Sequence, residues 1–215
     1  MELRKKATKL ASITKGILLN NGINAFWWTG KKNFGDLFTP ELIKKYGYTP
    51  IETPPFKAKM IGIGSLMDMV PLDYEGILLG TGLICDKPLR LEKATFAAIR
   101  GELSKKNLGL ASDTPTGDFG LLAALLLEKR CDKKKYQVGF IPHFVDKQHP
   151  WITSMLSFYG DNACLIDVQD SAQSVIEQAD KCELIISSSL HGVIISDALG
   201  IPNVWVELSD KVIGK

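Results

Sequence analysis

Residues 183–208 read ELIISSSLHGVIISDALGIPNVWVEL. A short apolar run ends in three serines, a stretch with Leu190, Val193, Ile194 and Ala198 at helical spacing follows, and Gly200 with Pro202 stops it before a second apolar run. That is the pattern of a βαβ unit, strand to helix to parallel strand. In such a unit the first turn lies at the carboxyl edge of the sheet, and the helix it opens presents unpaired backbone N–H groups and the positive end of its dipole. Ser187, Ser188, Ser189 and His191 all fall in that turn. Singly, each has a plain structural explanation: the serines serve as helix caps, and a first-turn histidine is satisfied by a neighbouring carbonyl. Their convergence with amide donors at one turn favours a phosphate- or carboxylate-binding site.

Outward from this unit the same alternation continues. Apolar runs at 23–28, 59–63, 76–79, 95–99, 137–141, 163–167, 183–187 and 203–207 read as strands. Amphipathic stretches at 36–46, 101–108, 118–129, 150–159, 171–181 and 190–199 read as helices, with Asp170 and Gln173 as a capping box for the fifth. The class is α/β with parallel sheets. The charged run KRCDKKK at 129–135 separates a Leu/Ala-rich helix from a new strand and suggests two domains, 1–134 and 135–215.

The 215 residues, 45% hydrophobic and 23% charged, are ordinary globular composition. Twenty-six basic against 24 acidic residues leave a net charge of +2, which excludes a dedicated nucleic-acid binder. Anionic ligands must therefore be held locally. Cys85, Cys131, Cys164 and Cys182 have neither zinc-ligand spacing nor the density of a disulfide framework, so no metal is expected and a reducing, cytoplasmic setting fits. The run GILLGTGLIC at 76–85 is too short to span a bilayer, and the N-terminus has no unbroken signal-peptide core. Its basic start suits either a short exposed helix or peripheral contact with the inner face of an anionic membrane.

Other candidates sit at strand ends or turns. Arg100 closes an apolar run ahead of Gly101 and suits bidentate recognition of an anion, although a surface pair with Glu102 would equally explain it. Asn33, Gly35 and Asp36 open a helix, with Asp36 as a potential cap. Gly80 and Gly82 follow a strand but lack the third glycine of a dinucleotide fingerprint. His143 and Asp146 follow the strand at 137–141 and frame an acid/base pair or a ligand pocket.

Taken in order, NFGDLF (33–38), GIGSLM (62–67), LLGTG (78–82), IRGELS (99–104), GDFGLL (117–122), IPHFVD (141–146) and ISSSLHGVIISDALGIP (186–202) resemble the polysaccharide pyruvyl transferase family. Ser189 stands where several relatives have arginine, which resembles the SSLHG branch that includes exopolysaccharide and succinoglycan pyruvyl transferases. The resemblance implies a GT-B-like architecture, two Rossmann-like domains facing each other across a cleft, with the acceptor side and the Arg100 motif in the first. Because family members continue through further βα units, it also implies an incomplete second domain.

The implied reaction moves the pyruvyl group of phosphoenolpyruvate onto two hydroxyls of a sugar as a cyclic ketal and releases phosphate. Phosphoenolpyruvate is a co-substrate and no cofactor is called for; the acceptor would be a lipid-linked or nucleotide-linked sugar. The resemblance assigns catalysis to His191 and phosphoenolpyruvate binding to Arg100, with Ser187, Ser188 and Ser189 joining as the anion turn. Two other readings compete: a truncated binding module of the same fold without turnover, and a GT-B glycosyltransferase using a nucleotide sugar.

Overall fold

A computed structural model describes residues 2–212 of the chain. The chain divides into two compact units: one runs up to Thr29 and resumes over Phe38–Phe119, and the other comprises Gly30–Leu37 and the chain from Gly120 onward. A short early segment thus belongs with the later half of the sequence.

The first unit contains α1 (Glu2–Leu18), β1 (Gly22–Phe26), α2 (Phe38–Lys45), β2 (Thr49–Glu52), β3 (Met60–Ile61), β4 (Ile77–Thr81), β5 (Thr95–Ile99) and α3 (Glu102–Leu108). Its five strands are all parallel in the order β2-β1-β3-β4-β5, with Gly22 opposite Thr49, Ala25 opposite Met60 and Ile77 opposite Thr95. This is a doubly wound order, whose reversal lies between β1 and β3. Ile61, Met67, Leu78 and Ile99 are fully buried, and Leu91 and Leu108 close the same core. At Gly80 the β4–β5 register shifts. Its φ is +72°, and a Cβ there would stand 2.4 Å from the Phe119 amide nitrogen, so both the kink and the close approach need glycine.

The second unit contains β6 (Tyr136–Ile141), α4 (Pro150–Tyr159), β7 (Ala163–Leu165), α5 (Ala172–Ala179), β8 (Cys182–Ser187), α6 (Leu190–Ala198) and β9 (Asn203–Trp205). These four strands are also parallel, in the order β7-β6-β8-β9, and each connection carries one helix. The α/β class and the parallel Rossmann-like sheets expected from the sequence are therefore present, and the second sheet is the smaller. Phe140 anchors this core edge-on to Trp151 at 5.9 Å, beside Val138 and Ile152. α6 ends as the sequence predicts: Gly200 takes φ +63°, its N–H donates to Asp197 O, and the Ile201 N–H donates to Ser196 O. This is a Schellman cap.

Several local expectations shift. The capping box placed on Asp170 is one residue early; Ser171 is the N-cap of α5 and its hydroxyl accepts from the Ser174 N–H. The helix expected over 118–129 is a 3-10 run over Phe119–Leu126, whose sequence FGLLAALL is apolar all round and carries no amphipathic period to select the α form. β2 has no strand signature because Pro50 interrupts it, and it is an edge strand, where proline is tolerated. The charged run at 129–135 is tied down within the second unit. The buried Asp180 carboxylate accepts from Arg130 Nε at 2.8 Å, the Cys131 N–H at 2.6 Å and Lys134 Nζ at 3.2 Å.

Candidate active site

In the second unit β6 and β8 are neighbours whose onward connections lead to opposite sides of the sheet. The crevice outside their carboxyl ends is where open parallel sheets bind ligands. The turn after β6 supplies His143 and Asp146; the end of β8 supplies Ser187, the turn after it Ser188 and Ser189, and the first turn of α6 His191. The Ser187 hydroxyl donates to the Ile141 or Ser189 carbonyl, each at 2.8 Å, and accepts from the Ser189 N–H at 3.0 Å. The Ser188 hydroxyl accepts from the His143 N–H at 3.0 Å and donates to Asp146 Oδ2 at 2.8 Å. Ser209, beyond β9, donates to Asp146 Oδ1. These hydroxyls brace the two turns against each other. Asp146, at 1% exposure, is the hub of that bracing.

Ser189 occupies the N-cap position of α6, yet its side chain makes no capping bond. Ser189 itself therefore satisfies none of the first-turn backbone donors by which a helix start favours an anion. The buried face of α6 runs through His191, Gly192, Ile195 and Ser196, whereas Leu190 is 39% exposed. Gly192 permits this docking, since a Cβ there would stand 2.3 Å from Ser187 Oγ.

The segment Gly30–Leu37 completes the surroundings of His191. The Phe34 N–H donates to Val168 O at 2.8 Å, and the Asn33 side chain accepts from the Gly35 N–H at 3.1 Å in a tight turn. Phe34 is fully buried and meets the imidazole edge-on, with centroids 6.2 Å apart and planes at 78°. Gly35 is buried directly against the ring. Asp36 lies half-buried in the turn, two residues ahead of α2. His143 stacks on Phe144 at 4.2 Å, and Lys31 Nζ sits 3.9 Å from the Phe144 ring centre. Burial lowers the His143 pKa; Asp146 opposes that and Lys31 adds to it.

Arg100, Gly80 and Gly82 belong to the first unit. Arg100 follows β5 with only 14% of its side chain exposed. One arm donates to Ser65 Oγ, and Nη1 lies 4.0 Å from Asp118 Oδ2. The ionic partner is thus Asp118 and not the neighbouring Glu102. Gly82 leaves room for the guanidinium: a Cβ there would come within 2.8 Å of Nη2. Ser65, Asp118, Phe34, Lys31 and Ser209 were not singled out from the sequence. Ser65, Asp118 and Phe34 lie inside the GIGSLM, GDFGLL and NFGDLF motifs, which was their only signal. Among the described residues no group of three or more His, Cys, Asp or Glu is placed to hold a metal ion, and no helix is long and apolar enough to cross a membrane.

Comparison with known proteins agrees with these motifs. The chain is 32% identical to an uncharacterized protein of Acanthamoeba polyphaga mimivirus over 136 residues, 60% of this chain and 47% of that protein. It is 24% identical to the succinoglycan biosynthesis protein ExoV of Rhizobium meliloti (strain 1021) over 155 residues, 70% of this chain and 48% of that protein. The chain therefore spans about half the length of the curated relatives it matches. No solved structure gives a significant match. Residues 89–210, more than half of the chain, match the polysaccharide pyruvyl transferase family model and include both Arg100 and the turn that carries His191. The chain belongs to the polysaccharide pyruvyl transferase family.

Proposed function

We propose that the chain transfers the pyruvyl group of phosphoenolpyruvate to two hydroxyls of a sugar in a polysaccharide precursor. A proton added to C3 of the enol phosphate leaves a cationic C2, which the first hydroxyl attacks. Phosphate then leaves C2 as the second hydroxyl bonds to it, and the two hydroxyl protons go to solvent or to phosphate. The product is a cyclic ketal plus inorganic phosphate.

The observation that carries this reading is the placing of His191 in the first turn of α6, beside a helix start that its N-cap side chain leaves open. Imidazole, with an ordinary pKa of about 6.5, exchanges protons near neutrality. His191 is assigned that proton step, and the α6 amides hold the phosphate or carboxylate. Because the hydroxyls of Ser187 and Ser188 are engaged with Ile141, Ser189 and Asp146, these serines act by shaping the turn. Arg100 is assigned a second anionic group of the reaction. Membership of the family and the likeness to a succinoglycan biosynthesis protein support a saccharide acceptor.

The test is incubation with phosphoenolpyruvate and a panel of lipid-linked and nucleotide-linked sugars, with phosphate release and the mass of the product as readouts. Pyruvylated product, lost in His191→Gln at unchanged melting temperature, is the expected result. Phosphate release without any sugar nucleotide donor would also set aside a glycosyltransferase. Phosphoenolpyruvate binding with no product from any acceptor would overturn the transfer reading.

A further inference from the structure

α1 meets the first sheet along a narrow line. Gly16 is buried there, and a Cβ on it would stand 2.9 Å from the Gly22 Cα and 3.1 Å from Ile51 Cδ1, while Ser12 and Ile13 are half-buried on the same side. Successive residues turn by about 100° around the helix axis, so Leu10, Ile17 and Leu18, with Ala7, Ala11 and Thr14 between them, form one continuous arc on the other side. Leu10 is 65%, Ile17 72% and Leu18 78% exposed, and Leu19 just beyond the helix is 56% exposed. A shallow apolar groove runs along this arc.

The charge on the helix is one-sided in sign. Residues 2–18 carry Arg4, Lys5, Lys6, Lys9 and Lys15 against Glu2 alone, in a chain whose net charge is +2. Lys5, Lys6, Lys9 and Lys15 are exposed. Lys6 borders the apolar arc on one edge and Lys15 on the other. Lysine stems that flank an apolar arc can lie along it and raise their ammonium groups to a polar boundary. An aqueous surface gains nothing from such an arc; a lipid interface takes up the apolar residues and its anionic headgroups pair with the flanking cations.

We propose that α1 lies in the plane of an anionic lipid surface, its Leu10–Ile17–Leu18 arc entering the headgroup boundary and Lys6 and Lys15 at the edges of that arc contacting lipid phosphates. This does not depend on the pyruvyl transfer reading and stands or falls separately.

The test is flotation of the full chain with vesicles of phosphatidylcholine alone and of phosphatidylcholine mixed three to one with phosphatidylglycerol. The chain should float with the mixed vesicles at low salt, and binding should weaken as salt rises. The pair Leu10→Glu with Leu18→Glu, and the pair Lys6→Glu with Lys15→Glu, should each reduce it by at least an order of magnitude with unchanged circular-dichroism melts. No flotation with the mixed vesicles overturns the proposal, as does equal flotation with phosphatidylcholine alone or binding indifferent to the leucine pair. A dimer that Leu10→Glu with Leu18→Glu dissociates, without vesicle binding, would assign this face to a second copy and likewise overturn it.

Discussion

Gly35 lies against the His191 ring so closely that a Cβ on it would stand 2.2 Å from Nδ1 and 2.5 Å from Cγ. The two residues are far apart in sequence but belong to the same compact unit. Gly35 is not among the glycines with positive φ, so the requirement is for space and not for backbone freedom. Gly35→Ala should displace the imidazole or the turn at a cost of about 1–3 kcal/mol. Because the displaced group is His191, phosphate release should fall by more than the loss of folded protein explains. Thermal melts read beside turnover separate the two effects; a normal rate at normal stability would remove Gly35 from any role in placing His191.

Asp146 gives a second prediction. Its buried carboxylate accepts from Ser188 and Ser209, and Ser188 in turn holds the His143 N–H. Hydrogen bonds to a charged group contribute about 1.5–3 kcal/mol each, so Asp146→Ala should destabilise the chain by several kcal/mol. Asp146→Asn keeps the shape and should lie between. Urea denaturation of the three proteins checks the order, and equal midpoints would show that the bracing is not needed for stability.

Much of this was legible because the chemistry sits at strand ends. The βαβ pattern of 183–208 gives β8, α6 and β9 within two residues of their bounds, since Gly200 and Pro202 mark a stop that few other residues can make. The engagement of Ser187 and Ser188 was not legible: a serine before a helix looks alike in sequence whether its hydroxyl points outward or braces the next strand. Nor could spacing show that residues 30–37 leave the first unit to pack on His191, because that contact is made by topology and a buried phenylalanine. β2 escaped for a local reason, its proline. At the N-terminus the sequence offered a short exposed helix without bounds, because α1 turns only a narrow line around Gly16 to the sheet and leaves Leu10, Ile17 and Leu18 exposed.

Gly139 tests the packing behind the site. It lies on β6 opposite Cys164 of β7 and Ile185 of β8, next to the Cys182 sulfur, which meets the Cys164 sulfur at 3.6 Å. A Cβ at 139 would stand 2.6 Å from Cys182 Sγ and 2.7 Å from Ile185 Cδ1. Gly139→Ala should cost about 1–3 kcal/mol, and Cys182→Ala in the same chain should recover part of it. Additive effects of the two changes would show that they do not share this space.

Arg100 is expected to separate binding from stability. Its guanidinium bonds to Ser65 and lies beside Asp118, and a lysine keeps the charge but not the two-armed geometry. Under the proposed reaction Arg100→Lys should raise the KM for phosphoenolpyruvate by about tenfold, a loss of roughly 1.4 kcal/mol of binding, with a smaller effect on kcat. A purely structural arginine would instead lower the melting temperature and leave the phosphoenolpyruvate titration in place.

His143 makes stability depend on pH with a definite sign. Burial lowers its pKa below the ordinary 6.5, against the pull of Asp146 and with the help of Lys31. Below about pH 6.5 the unfolded chain therefore takes up a proton that the folded chain still refuses, so unfolding becomes easier as pH falls. Once pH drops below the folded-state value both forms are protonated and the dependence from this group ends. Above about pH 6.5 both forms are neutral there and His143 contributes no slope. His143→Gln removes the titration, so its urea midpoint should fall less than that of the parent between about pH 7 and pH 5. Parallel curves for the two proteins across that window would mean that the folded imidazole protonates as freely as the unfolded one, and that its packing on Phe144 does not exclude the charged form.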